Sequence, residues 1–115
     1  MASAQIPFPL EIDVITVKAL LDNKQDFVLL DCREKKEYDL VRIPGAILVP
    51  MSEITQRVAE LEPYRNKHIV VHCHHGGRSL KVTHWLRGQG FSQTQNMRGG
   101  IDAWSVNIDP SLPRY

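Results

Sequence analysis

The sequence predicts a single α/β domain whose parallel sheet is covered by helices on both faces. Short, continuous apolar runs alternate with segments of helical apolar spacing, and unbroken rather than alternating runs belong to strands buried on both sides. The 115 residues suffice for one ordinary domain and are too few for two. Hydrophobic residues make up 43% of the chain and charged residues 23%, a balance that supports a packed core and excludes a disordered, highly charged chain.

Taken in order, residues 1–11 read as a lead-in interrupted by Pro7 and Pro9. Thr16–Asn23 places Val17, Leu20 and Leu21 on one helical face, with Thr16 as the N-cap. Phe27–Asp31 and Ile69–Cys73 are buried strands ending in polar or reactive residues, and Ala46–Val49 is a third, preceded by a turn at Pro44-Gly45. Ser52–Leu61 repeats helical spacing with Ile54, Val58 and Leu61. Ser79–Arg87 carries Leu80, Val82, Trp85 and Leu86 on a largely buried helix closed by Gly88 and Gly90. Thr94–Met97 is a last short strand and Gly100–Trp104 a last helical turn, while Trp85 and Trp104 pack in or near the core. The domain therefore spans 12–105, and 106–115, with Pro110 and Pro113, is a non-helical tail.

Several function classes drop out. The formal charge is +1 and no Lys/Arg run is interleaved with aromatics, so no nucleic-acid partner is expected. No apolar run approaches the roughly 20 residues that span a bilayer, and Met1–Leu10 lacks the pattern of a secretory signal. The expected address is cytoplasmic, without membrane association. Cys32 and Cys73 form no disulfide scaffold; in a reducing compartment both are free thiols.

In parallel sheets ligands sit beyond the carboxyl ends of the strands, and both cysteines fall there. The stretch Ile69-Val-Val-His-Cys-His-His-Gly-Gly-Arg-Ser79 reads as strand, short glycine-rich loop and helix start. Gly76 and Gly77 permit backbone conformations that aim several N–H groups at one point, and the following helix adds the positive end of its dipole. A thiol held there is ionised near neutral pH. Arg78 adds a forked cation suited to oxyanions. Cys73 is thus the candidate nucleophile, and Arg78, His74, His75, Gly76, Gly77 and Ser79 its substrate-binding surround. The histidines otherwise stand as solvated bystanders, and protonation below about pH 6.5 would give them charge. A core thiol would need neither the glycines nor the arginine. A metal site at His72-Cys73-His74-His75 is disfavoured, because neighbours in an extended stretch point in opposite directions. No metal or other cofactor is expected.

Cys73-His-His-Gly-Gly-Arg-Ser79 resembles the active-site loop of the rhodanese family, Cys-x-x-Gly-x-Arg-Ser. Asp31-Cys32-Arg33, Glu37-Tyr38 with Ile43-Pro-Gly-Ala46, Gly88–Phe91 and Gly99-Gly100-Ile-Asp-Ala-Trp104 resemble further family segments, in family order from about residue 12 to 104. The resemblance implies a three-layer fold with a mostly parallel sheet of about five strands. It also implies a sulfurtransferase that moves sulfane sulfur from thiosulfate or a persulfide, through a Cys73 persulfide, to cyanide, a thiol or a protein cysteine. Asp31 and Arg33 are read as a structural pair bracing the loops, and Gly99-Gly100 as a backbone-packing need under the active loop. The chain departs from the family at Val41-Arg42, where Gly-His is common, and at Cys32, where valine is usual. Cys32 is therefore a possible second thiol, although a valine position should face the core. A non-catalytic or partner-dependent sulfur-relay module is the alternative. A phosphatase or arsenate reductase on this fold would use a longer loop than the four residues between Cys73 and Arg78.

Overall fold

The computed structural model describes residues 8–115, so residues 1–7 of the lead-in lie outside the described residues. Five strands form one sheet: β1 Glu11–Ile12, β2 Phe27–Asp31, β3 Ile47–Leu48, β4 His68–His72 and β5 Thr94–Met97. Their order is β1-β5-β4-β2-β3, and every pairing is parallel. The central strands β2 and β4 pair from Phe27 opposite His68 to Asp31 opposite His72.

Alternation along those strands sorts their side chains into two cores. Val28, Leu30 and Cys32, with Ile69, Val71 and Cys73, face one side, where Ile54, Leu61, Val82 and Leu86 cover them. Leu29 and Val70 face the other, against Val14, Val17, Ile101 and Trp104. The first layer is α3 (Ile54–Arg57) and α4 (Gly77–Gly88); the second is α1 (Val14–Asp22) and α5 (Gly100–Asn107). A fifth helix, α2 (Lys35–Leu40), follows β2.

Four local expectations change. Helix α1 starts earlier because Asp13 caps it, its Oδ1 accepting from the Thr16 N–H at 2.7 Å; Asp is at least as strong an N-cap as Thr. The helix expected over Ser52–Leu61 is α-helical only at Ile54–Arg57, with 3-10 turns at Met51–Glu53 and Val58–Tyr64. Pro63 supplies no N–H to continue an α-helical ladder there. Helix α5 runs one turn further than expected, to Asn107, because nothing before Pro110 stops it. Helix α2, with no buried residue, was not readable from periodicity. Tertiary bonds hold it: the Arg33 guanidinium beneath donates to the Glu37 carbonyl at 3.3 Å and the Val41 carbonyl at 2.6 Å.

Candidate active site

The carboxyl ends of β2 and β4 carry Asp31, Cys32, Arg33 and Cys73 to one edge of the sheet. After His72 the chain turns sharply. Gly76 has φ +110°, a left-handed conformation that L side chains rarely adopt, and it opens α4. Three donors consequently close on one atom: the Cys73 Sγ accepts from the N–H of Gly76 at 3.1 Å, the N–H of Ser79 at 3.4 Å and the Ser79 hydroxyl at 3.3 Å.

Cys32 lies beside Cys73 on the same face of the sheet, and its thiol is the largest influence holding the Cys73 pKa far below the ordinary thiol value. The Ser79 hydroxyl, the Ser79 N–H and the Gly76 N–H act in the same direction, against the opposing effect of burial. The same contact, aided by burial, pushes the Cys32 pKa up. The two neighbouring sulfurs are thus biased apart, Cys73 toward the thiolate and Cys32 toward the thiol. Ser79 is steadied by Asn96 of β5, whose Oδ1 shares the single Ser79 hydroxyl proton with the Cys73 sulfur and whose Nδ2 donates to the Gly76 carbonyl at 3.3 Å.

Helix α5 supports the loop from below. The N–H groups of Ile101 and Asp102 donate to the carbonyls of Cys73 and His74 at 2.9 and 3.0 Å, using donors that a helix N-terminus leaves free. Gly100 makes this approach possible. Its φ is +60°, and a Cβ there would strike those two carbonyl groups.

Arg78 does not stand free. It grips Glu37 with two bonds, Nη1 to Oε1 at 2.7 Å and Nη2 to Oε2 at 2.9 Å. Tyr115 completes the rim: its hydroxyl donates to Glu37 Oε2 at 2.8 Å and accepts from Arg33 at 2.9 Å, while its ring stacks on His74 at 3.8 Å. Arg33 itself is fully buried against Asp31, with Nη2 2.7 Å from Oδ2. Buried His72 lies 3.8 Å from the same Asp31 oxygen, and desolvation lowers its pKa, leaving it neutral. Burial also lowers the His74 pKa, with the adjacent His75 adding to the effect, so His74 gains its charge at a lower pH than an ordinary histidine.

The backbone divergence that argued against a metal applies to His72 and Cys73, but not to the bent loop beyond them. There His74 and His75 bring their rings to 3.9 Å, and their ligand atoms lie within 4.8 Å of Asp102 and one another. Asp102 already accepts from Arg114 at 2.9 and 3.1 Å. Glu37, Asn96 and Tyr115 are functional neighbours that sequence reasoning missed. Glu37 lay within a segment resembling the family, which was the available signal; Asn96 and Tyr115 had none.

Arg78, with Tyr115 and the Glu34 N–H in support, lowers the Glu37 pKa from 4.5 to about 2. A depressed carboxyl pKa stabilises the fold above the unfolded value and loses that contribution as pH falls through the folded one. Between pH 4.5 and about 2, the wild type should therefore lose its stability advantage over Glu37→Gln. Urea midpoints of both proteins across that range check this, and a constant difference would refute the ion pair as its source.

A parallel α/β sheet with a cysteine at a strand end, its sulfur ringed by backbone N–H groups of the following loop and helix, is an arrangement suited to hold a thiolate. The Rhodanese-like domain family matches residues 14–107, and the chain belongs to that family. It is 36% identical over 109 residues to Rhodanese-like/PpiC domain-containing protein 12, chloroplastic, of Arabidopsis thaliana, covering 88% of this chain and 36% of that one. The chain thus spans about a third of that relative's length. A protein of Allochromatium vinosum named Sulfurtransferase is 34% identical over 95 residues, 83% of this chain and 87% of the other. The crystal structure of a rhodanese-like domain protein from Staphylococcus aureus superposes with a TM-score of 0.78 at 27% identity, covering 93% of this chain and 99% of that one. Among the described residues no helix is long and apolar enough to cross a membrane.

Proposed function

We propose that the chain is a sulfurtransferase that carries sulfane sulfur as a persulfide on Cys73. The observation that carries this reading is the convergence of the Gly76 and Ser79 N–H groups and the Ser79 hydroxyl on the Cys73 sulfur. The thiolate attacks the outer sulfur of thiosulfate; the S–S bond breaks, sulfite leaves with the bonding pair, and Cys73 retains a persulfide anion. The loop donors then neutralise the charge on the added sulfur. An acceptor thiolate, a protein cysteine or cyanide attacks that sulfur and restores the Cys73 thiolate.

Loop length favours sulfur over a tetrahedral oxyanion, since only four residues separate Cys73 from Arg78. Arg78 is committed to Glu37, so its service to an anionic donor runs through the shape and charge of that pair as well as by direct contact. Cys73 is fully covered, and donor entry therefore requires side chains at the mouth to move. A reducing, cytoplasmic setting would keep both thiols free.

Intact mass after incubation with thiosulfate tests the reading. One added sulfur atom, removed by cyanide as thiocyanate, is the expected result. An unchanged mass with both thiosulfate and a low-molecular-weight persulfide would refute it.

A further inference from the structure

Cys32 stands on the next rung of the ladder from Cys73. The β2–β4 register pairs Leu30 with Val71 and Asp31 with His72, and the Cys32 N–H donates to the His72 carbonyl at 3.0 Å, carrying the pairing one residue beyond the strands. Paired residues of neighbouring parallel strands project from the same face. Both cysteines accordingly lie in the core formed by Val28, Leu30, Ile69 and Val71. A core-facing side chain at position 32 argued against reaction with a nucleophile beyond the strand end. Yet Cys73 also turns its sulfur into this face, so core placement brings the two thiols together. Neighbouring strands lie about 4.7–4.9 Å apart, inside the roughly 4.4–6.8 Å that a disulfide requires between Cα atoms.

We propose that Cys32 is a resolving thiol, which discharges an unclaimed sulfur from Cys73 as sulfide and leaves a Cys32–Cys73 disulfide. The proposal rests on the Cys73 persulfide reading above. Cys32 Sγ attacks Cys73 Sγ; the bond between Cys73 Sγ and the outer sulfur breaks, and the outer sulfur departs with the bonding pair. The Cys32 proton goes to that sulfur, which leaves as HS⁻. The two cysteines are oxidised to cystine and the sulfane sulfur is reduced to sulfide, so no external oxidant or reductant enters the step. The persulfide anion takes the Cys32 proton as Cys32 attacks, so the attacking sulfur gains thiolate character and the leaving group is hydrosulfide rather than a dianion. An external thiol reductant resets the pair. With an acceptor present the protein passes sulfur on; without one it releases sulfide once and locks.

The test loads the full chain with thiosulfate or, separately, glutathione persulfide, removes the donor, and incubates it anaerobically without acceptor. Cyanide discharge of a parallel sample counts the loaded chains, and sulfide is read per loaded chain. The expected result is one sulfide per loaded chain, with a Cys32–Cys73 disulfide in the peptide map after denaturing alkylation. Cys32→Ser keeps a hydrogen-bond donor beside Cys73 but cannot form the disulfide, and loaded Cys32→Ser should release no sulfide. A loaded wild-type chain that holds its persulfide while Cys32 remains alkylatable would overturn the proposal and leave the sulfurtransferase reading intact. Equal release from Cys32→Ser would also overturn it. A chain that loads from neither donor would overturn both.

Discussion

Cys73→Ser is expected to reduce sulfur transfer to the uncatalysed background while the protein stays folded. The donors around position 73 are arranged for an anion, and a serine hydroxyl stays protonated where a thiol ionises. The neutral oxygen neither attacks sulfane sulfur at a useful rate nor stores it. Stability should change little, within about 1 kcal/mol, because the hydroxyl finds the same Gly76 and Ser79 donors at hand. Single-turnover discharge to cyanide, read beside a thermal melt, checks both halves. Near-normal transfer by the folded variant would remove Cys73 from the mechanism. Loss of the fold would show instead that the thiolate's bonds to the loop organise the domain.

How much of this site was legible in the sequence depends on how local each part is. Cys73, Gly76, Gly77, Arg78 and Ser79 lie within seven consecutive positions, so their convergence follows from one strand, one turn and one helix start. Strands β2 and β4 were readable because Val28–Leu30 and Ile69–Val71 are unbroken apolar runs. Strand β1 was not, since two residues cannot display a period. Glu37, Asn96 and Tyr115 reach the site from three separate elements, and composition does not state which carboxylate will claim Arg78. The sequence placed both cysteines at one sheet edge. That their sulfurs share a face is set by register, which pairs residues forty-one positions apart.

Arg33→Met is expected to cost about 3–5 kcal/mol of stability, the range for removing one partner of a buried ion pair. The side chain is fully buried, and all five of its N–H groups have acceptors. Nε bonds Asp31 at 3.0 and 3.2 Å; Nη2 bonds Asp31 at 2.7 Å and the Val41 carbonyl at 2.6 Å. Nη1 reaches the Glu37 carbonyl at 3.3 Å and the Tyr115 hydroxyl at 2.9 Å. Methionine fills similar space but leaves the buried Asp31 without a cation and the Val41 carbonyl without its donor, while the Glu37 carbonyl keeps only the Val41 N–H at 3.0 Å. For a domain of this size the melting temperature should fall on the order of 15 °C. The double variant Asp31→Leu/Arg33→Met should recover part of the loss, because the stranded charge is gone while the Val41 carbonyl stays without its Arg33 donor. Transfer activity should fall in both variants even below their melting temperatures, since α2 carries Glu37, and Glu37 fixes Arg78. A single variant that melts within a few degrees of wild type would show that water or a rearranged partner satisfies Asp31, and that the pair does not hold β2, α2 and the active-site rim together.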